Sequence, residues 1–265
     1  MTLEEMKDLR DRVIPIVKEA GSIVNNTVIS DDMIEQKGTA NFVTKVDYAV
    51  EKFLVEKIID LMPDSNIITE EAEKNRFNFD KPTWIIDPID GTTNLMYSFG
   101  LSGISIGFFV EGKASIGWVY NPYTDEMFSA VAGVGAWLNE KPIKKSSNKT
   151  LKDSLIGFGT SPYNKENARR TFETVESIYL EARDIRRCGA ASLDICYVAC
   201  GRMDGFYEMK LQPWDYAGGL VVLNEVGGKI TDWEGREIDC LSATPTVASN
   251  GYIHDELLKK LSKAN

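Results

Sequence analysis

Histidine is almost missing from this chain: one residue in 265, His254, near the C-terminal end. A single imidazole all but excludes His-rich zinc sites, His-Glu-x-x-His peptidase centres and triads that need a central imidazole. Any acid–base chemistry falls to carboxylates, hydroxyls or metal-bound water. Cysteine is scarce as well. Cys188, Cys196, Cys200 and Cys240 form no Cys-x-x-Cys pair, which argues against a structural metal or a disulfide frame. Cys196 and Cys200 share one face of an expected helix, where free cysteine packs as a small hydrophobe. The longest apolar-leaning run, Leu101 to Val110, contains two Ser and two Gly. It is far shorter than the ~18–20 apolar residues that span a bilayer. The opening Met-Thr-Leu-Glu-Glu-Met-Lys-Asp carries charge where a secretion signal needs an apolar core. No membrane association is expected, and free thiols without an export signal point to the cytoplasm. Positive charge is in deficit, 30 Lys and Arg against 40 Asp and Glu, for a net charge of −10. That balance disfavours direct nucleic-acid binding, though a local site can still supply its own cations for an anionic substrate.

What is present is globular: 43% hydrophobic and 26% charged residues. The length suits one large domain or two intimate halves, and such a chain buries about three quarters of its unfolded surface. Leu9, Val13, Ile16, Val17, Ala20 and Val24 share a face and predict a helix over 3–26, with Pro15 as a kink or a late start. Val50, Phe53, Leu54, Ile58 and Leu61 predict a second helix over 46–62, stopped by Pro63. The polar stretch Glu35 to Phe42 reads as a loop or short hairpin. Strands are expected at 66–69, 83–87, 103–110, 114–120 and 126–130, with a hairpin turn at Glu111-Gly112. Five Lys in 141–152 read as a solvated connector between halves 1–145 and 146–265 of one compact unit. Beyond it, strands at 155–159, 184–187, 204–207 and 246–249 interleave with helices at 165–182, 191–200, 215–226 and 254–261. Gly227-Gly228 stops the third of these helices. Such interleaving predicts an α/β class with sheets covered by helices on both sides.

The chemistry concentrates in Trp84-Ile-Ile-Asp87-Pro88-Ile89-Asp90-Gly91-Thr92-Thr93-Asn94-Leu95. An apolar strand ends at a carboxylate, a Pro-fixed turn follows, and a second carboxylate precedes Gly-Thr-Thr. Two acids on so tight a turn raise each other's pKa unless a cation lies between them. Hard oxygen ligands at this spacing, with the Ile89 carbonyl, suit Mg²⁺ or Mn²⁺. The amides of Gly91 and Thr92 suit an anion. Asp-Pro and Asp-Gly are also ordinary turn dipeptides, so the string alone does not decide. Glu70-Glu71 close the apolar run Ile67-Ile68-Thr69, and Asp215 stands at a helix start in Pro213-Trp-Asp-Tyr-Ala-Gly-Gly219. An Asp in a first turn is commonly a cap, yet all three acid groups fall at strand ends or helix starts, where α/β sites gather.

These segments resemble the inositol monophosphatase family of Mg²⁺-dependent, lithium-sensitive sugar phosphatases. Trp84 to Leu95 is similar to its first signature, Trp214 to Gly219 to its second, and Glu70-Glu71 and Thr44-Lys-Val-Asp47 also fit. The resemblance covers nearly the whole chain and implies a layered α-β-α-β-α sandwich and a homodimer. It implies that Glu70, Asp87 and the Ile89 carbonyl hold one metal, and Asp87, Asp90 and Asp215 a second. A third, weaker ion would use Glu70 and a loop near Lys37 to Asn41. Gly91 and Thr92 would hold phosphate, and Asp47 would bind the Thr92 hydroxyl that positions the attacking water. Glu208, Gly189, Ala190 and Ala191 would line the sugar pocket. The implied reaction is in-line hydrolysis of a small phosphomonoester by a metal-activated water, without a covalent phospho-enzyme and with Li⁺ as inhibitor. Inositol monophosphate ranks first as substrate. NADP(H) 2′-phosphatase activity ranks second, with fructose-1,6-bisphosphatase and 3′-phosphoadenosine-phosphate phosphatase as further options. Some members resemble partner-binding regulatory factors with dispensable catalysis. The chain departs from the family pattern at Thr69, where Gly is usual, and its small Ala190 and Ala191 leave room for larger leaving groups. Arg186 and Arg187 either touch an anionic substrate or pair with surface acids or a subunit contact.

Overall fold

The computed structural model describes residues 1–38, 41–72, 75 and 78–262. The chain opens with helix α1 (Leu3–Asn26), a hairpin of β1 (Ile34–Gly38) and β2 (Asn41–Thr44), and helix α2 (Lys45–Leu61). Strand β3 (Asn66–Thr69) and strand β4 (Thr83–Asp90) follow, then the short helix α3 (Thr92–Met96). Strands β5 (Gly103–Val110), β6 (Lys113–Asn121), β7 (Glu126–Val131), β8 (Gly135–Leu138) and β9 (Lys141–Pro142) complete a seven-stranded sheet ordered β3-β4-β5-β6-β7-β8-β9. Then come β10 (Leu155–Phe158), α4 (Ala168–Tyr179), β11 (Asp184–Arg186), α5 (Ala191–Ala199), β12 (Gly205–Leu211), α6 (Pro213–Glu225), β13 (Lys229–Thr231), β14 (Thr244–Ser249) and α7 (His254–Ser262). The second sheet has five strands ordered β11-β10-β12-β14-β13.

The elements stack as a five-layer α-β-α-β-α sandwich. Helices α1 and α2 lay the stripe Leu9, Val13, Val17, Val50, Leu54 and Ile58 on Trp84, Phe108 and Trp118 of the first sheet. Helices α5 and α6 fill the space between the sheets, and α4 and α7 cover the outer face of the second around Ile156, Tyr207 and Val247. Helix α6 presses unusually close to the first sheet. A Cβ on Gly117 of β6 would stand 2.3 Å from the Gly218 carbonyl oxygen, so only glycine allows the approach. That contact fixes the start of α6, and Asp215 with it, over the end of the sheet.

Several expectations change in the structure. Pro15 does not delay the start of α1 or divide it: the helix begins at Leu3 behind a Thr2–Glu5 capping box and is continuous to Asn26. Its buried stripe packs along α2 and the sheet, which offsets the hydrogen bond that Pro cannot donate. The 35–42 stretch is a hairpin. The Lys-rich connector is only partly solvated, because Lys141–Pro142 pair with β8 and Lys145 Nζ donates to the carbonyls of Gly227 and Asn250 at 2.5 and 2.6 Å. Strands β8, β9 and β13 escaped the sequence reading, being two to four residues long. The four cysteines are free thiols. No helix among the described residues is long and apolar enough to cross a membrane.

Candidate active site

The pocket opens at the ends of β3 and β4, and its geometry begins with a parity problem. Alternate residues of a strand face opposite sides, so Asp87 and Asp90, three apart, would point away from each other on a regular β4. A bulge resolves this. Asp87 pairs with Ser105 and Asp90 with Gly103, so β4 spends one residue more than β5 across the interval. Pro88 sits inside the bulge, where no ladder N–H is needed. Both acids therefore line one pocket. Gly91 follows with φ +89, a left-handed turn that caps α3.

Neighbouring elements deliver the other groups. Thr69 pairs with Ile86 in the parallel β3–β4 register, and the Glu70 amide donates to the Ile86 carbonyl at 3.3 Å, which sets Glu70 beside Asp87. Asp215 is the third residue of α6 and accepts from the Gln212 amide at 2.7 Å, a cap and a site residue at once. Asp47, likewise third in α2, accepts from the Thr44 amide and hydroxyl at 2.8 and 2.5 Å. Its other oxygen accepts from the Thr92 hydroxyl at 3.0 Å, and that hydroxyl also lies 3.2 Å from the Ile89 carbonyl oxygen. Glu208 on β12 accepts from the Ser161 amide and hydroxyl at 2.8 and 3.1 Å.

The structure thus brings Glu70, Asp87, Ile89, Asp90, Gly91, Thr92, Gly189, Ala190, Ala191, Glu208 and Asp215 to one pocket, with Asp47 behind Thr92. Of the expected third-ion loop, Lys37 is described and ion-pairs with Glu71, while Thr39, Ala40 and the Asn41 side chain lie outside the described residues. Arg186 pairs with Asp184, whereas Arg187 lines the pocket.

Sequence reasoning missed three contributors. Ser192 donates its amide and hydroxyl to Asp90 at 2.7 and 2.6 Å. Ser161 holds Glu208. Glu51 accepts from the Thr69 hydroxyl, and from the Glu71 amide at 3.0 Å, so it braces the turn that carries Glu70. Glu51 lies one helical turn after Asp47, and that spacing was the available signal. Ser161 and Ser192 carried none.

The electrostatics are dominated by uncompensated acid. Burial, then repulsion from Glu71 and Asp47, pushes Glu70 up to about 8. Burial, then Glu70, Asp90 and Asp215, drives Asp87 well above the carboxylate range. Burial, then Asp90 and Glu70, does the same to Asp215. Asp90 is pushed up to about 6 by burial, against the bonds from Ser192 that favour its charged form. Burial lifts Glu208 to about 7. Among the described residues no three such side chains form a finished ligand cage. The fit to cations lies in the charge: four carboxyls in mutual repulsion, with only oxygen donors, suit hard divalent ions.

A two-sheet sandwich with an acid-lined pocket beside a glycine-turned helix start defines a phosphoester-hydrolase type of site. The inositol monophosphatase family model matches residues 3–265. Inositol monophosphatase 3 of Solanum lycopersicum is 39% identical over 259 residues, 96% of each chain. The Nus factor SuhB of Escherichia coli is 34% identical over 87% of each. Among solved structures, a Thermotoga maritima IMPase superposes with a TM-score of 0.88 at 31% identity, covering 97% of this chain and 98% of that one. An IMPase-II of Staphylococcus aureus bound to inositol monophosphate gives 0.84 at 28% identity, covering 97% and 94%. An IMPase/NADP phosphatase complexed with Mg²⁺ and phosphate gives 0.85 at 25% identity, covering 98% and 96%. The chain belongs to the inositol monophosphatase family and is a phosphatase of the phosphomonoester-hydrolysing kind.

Proposed function

We propose that the chain hydrolyses a small phosphomonoester with Mg²⁺, and that inositol monophosphate is the preferred substrate. The observation that carries this reading is the meeting of Glu70, Asp87, Asp90 and Asp215 in one pocket beside Gly91 and Thr92. Glu70, Asp87 and the Ile89 carbonyl would hold one ion, and Asp87, Asp90 and Asp215 a second. Glu70 and the Lys37 loop would serve a third. The four acids carry −4 when ionised and a phosphomonoester adds about −2, so two or three divalent ions offset most of the charge. Bound there, Mg²⁺ supplies Lewis acidity to the attacking water and the phosphoryl group; Mn²⁺ is the obvious substitute.

The chain's own groups do the positioning. Asp47 accepts the hydrogen bond of the Thr92 hydroxyl, which leaves the Thr92 oxygen lone pairs to accept from a water and aim it. The Gly91 and Thr92 amides face the phosphate. Water oxygen bonds to phosphorus, the phosphorus–oxygen ester bond breaks, and the departing alkoxide takes a proton from a second water, which regains one from the attacking water, so the products are the free alcohol and hydrogen phosphate. Glu208, held by Ser161, accepts from hydroxyls of the leaving group, while Gly189, Ala190 and Ala191 bound it.

Phosphate release from inositol 1-phosphate, with and without Mg²⁺, tests the reading, with Asp90→Asn beside the native chain. Metal-dependent release lost in the variant supports it, and no release under any metal sinks it. Millimolar Li⁺ should inhibit, and a flat lithium titration would count against the Asp90–Asp215 ion. The small side chains of Ala190 and Ala191 in the pocket wall, together with the likeness to an IMPase/NADP phosphatase, favour NADP 2′-phosphate hydrolysis as a second activity. A regulatory role like that in the name of the Escherichia coli relative would require Asp90→Asn to retain cellular function. We further propose a cytoplasmic homodimer, the compartment because all four thiols are free. Sedimentation showing a monomer at every concentration would overturn the dimer.

A further inference from the structure

The Arg187 side chain is placed over the pocket by an arrangement that phosphate binding at Gly91 and Thr92 does not use. Asn94 of α3 donates to the Cys188 carbonyl at 2.9 Å and so ties the 187–189 turn to the floor of the site. Gly189 has φ +91, and a Cβ there would lie 2.2 Å from an Arg187 guanidinium nitrogen. Only glycine lets the guanidinium fold back across the turn. Its tip reaches the Thr160 hydroxyl at 3.3 Å, in the segment just after β10 and next to Ser161, which holds Glu208 of β12. The side chain thus lines the leaving-group end of the pocket, next to Gly189 and Glu208.

A guanidinium carries five N–H donors in a planar fork. Among the described residues, the Thr160 hydroxyl is the hydrogen-bond acceptor for Arg187, and no carboxylate lies within ion-pair distance. Arg186, its neighbour, is already committed to Asp184. Arg187 also favours the charged forms of Asp90, Asp194 and Glu208, so the wall it faces is not repelled by its charge. A cation whose fork faces the pocket, beyond the Glu208 that would take substrate hydroxyls, fits an acceptor on the far side of the leaving group. A planar fork matches phosphate oxygens in pairs.

We propose that Arg187 is a specificity-determining residue that recognises a second phosphate on the substrate's leaving group. This rests on the phosphomonoesterase reading above. Beside inositol monophosphate, which does not engage it, Arg187 extends the substrate range to phosphomonoesters of a polyol or nucleoside that already bear another phosphate. A neutral polyol leaving group uses Glu208 and leaves the fork to solvent.

The test compares the native chain with Arg187→Gln and Arg187→Lys at fixed Mg²⁺. Fructose 1,6-bisphosphate probes a sugar source of the second phosphate, 3′-phosphoadenosine 5′-phosphate a nucleoside source, and inositol 1-phosphate has none. The readout is the ratio of kcat/KM for each doubly phosphorylated ester to that for inositol 1-phosphate. Arg187→Gln should lower this ratio roughly 10–100-fold, the worth of a charge-assisted pair, through KM rather than kcat. Arg187→Lys should restore part of it. The ester whose ratio falls most names the source. If all three esters lose kcat/KM together, or none does, Arg187 is a structural or spectator cation and the proposal is overturned. If the native chain releases phosphate from none of them, the hydrolytic reading fails instead. Arg187 is then judged by calorimetric binding of fructose 1,6-bisphosphate to the native chain and Arg187→Gln, where equal affinities overturn it.

Discussion

Asp87 stands where three other acids repel it and where both expected ions meet. Burial and those acids already hold the metal-free Asp87 toward its neutral form, and Asn keeps that shape without charge, so the metal-free fold should lose little. Turnover should fall by more than the roughly 10–100-fold that loss of an outer partner of a metal ligand costs. Phosphate release and thermal melting on the same preparation check this. Near-normal turnover in Asp87→Asn would show that the shared-ligand assignment is wrong. Asp90 differs from Asp87 in having donors of its own. Ser192 supplies an amide and a hydroxyl, which is why burial lifts Asp90 only to about 6 while Asp87 rises further.

Among the elements, α2 carries more of the site than any catalytic residue on it suggests. One turn apart, Asp47 orients Thr92 and Glu51 braces the Thr69–Glu71 turn. The Thr69 hydroxyl, at a position where the family pattern has Gly, is accommodated by that Glu51 bond. Glu51→Gln should weaken Mg²⁺ affinity about 10-fold while Thr92 keeps its partner. Calorimetric titration of Mg²⁺ reads this directly, and unchanged affinity would reduce Glu51 to a surface acid. Helix α6 depends on its approach to β6. Gly117→Ala puts a methyl group into the Gly218 backbone, and overpacking of this kind costs about 1–3 kcal/mol. Because α6 carries Asp215, turnover should fall along with the melting temperature. A variant of native stability would mean that the helix shifts at no cost.

At the scale of the molecule, pH acts in two opposite directions. Asp90 and Glu70 have folded-state values of about 6 and 8, above those of an unfolded chain. The metal-free fold therefore binds extra protons, and this contribution to stability is lost as pH rises through 6 to 8. On the proposed reading Mg²⁺ would bind the ionised acids, so its stabilising effect should grow over the same range, reaching about 2.7 kcal/mol at a hundredfold excess over Kd. Melting curves with Mg²⁺ or EDTA at several pH values test this, and a gain independent of pH would contradict it. His254 works the other way. It is buried between the Thr231 and Ser249 hydroxyls, each 2.9 Å from a ring nitrogen, and burial lowers it to about 4. Neutral when folded, it contributes stability above pH 6.5 that is lost as pH falls toward 4. In Mg²⁺-saturated protein, His254→Gln should flatten that acid slope, and an unchanged slope would remove His254 from the account.

The sequence alone determined which acids are candidates for the pocket in which the fold gathers them, and the alternation that makes sheets covered by helices. Those signals are local: acids at strand ends, glycine at a turn, an apolar stripe at helical spacing. The tertiary structure decided what no local signal encodes. Pro15 survives inside α1 because the packed stripe outweighs one missing hydrogen bond. Asp87 and Asp90 face the same way because β5 imposes a bulge on β4. Ser161, Ser192 and Glu51 act on acids that lie 20 to 102 positions away in the chain, and such pairings exist only once the sheets have stacked. The direction of Arg187 was open for the same reason: its neighbour found an acid two residues away, while its own fork is aimed by Gly189, Asn94 and a wall built from a distant strand.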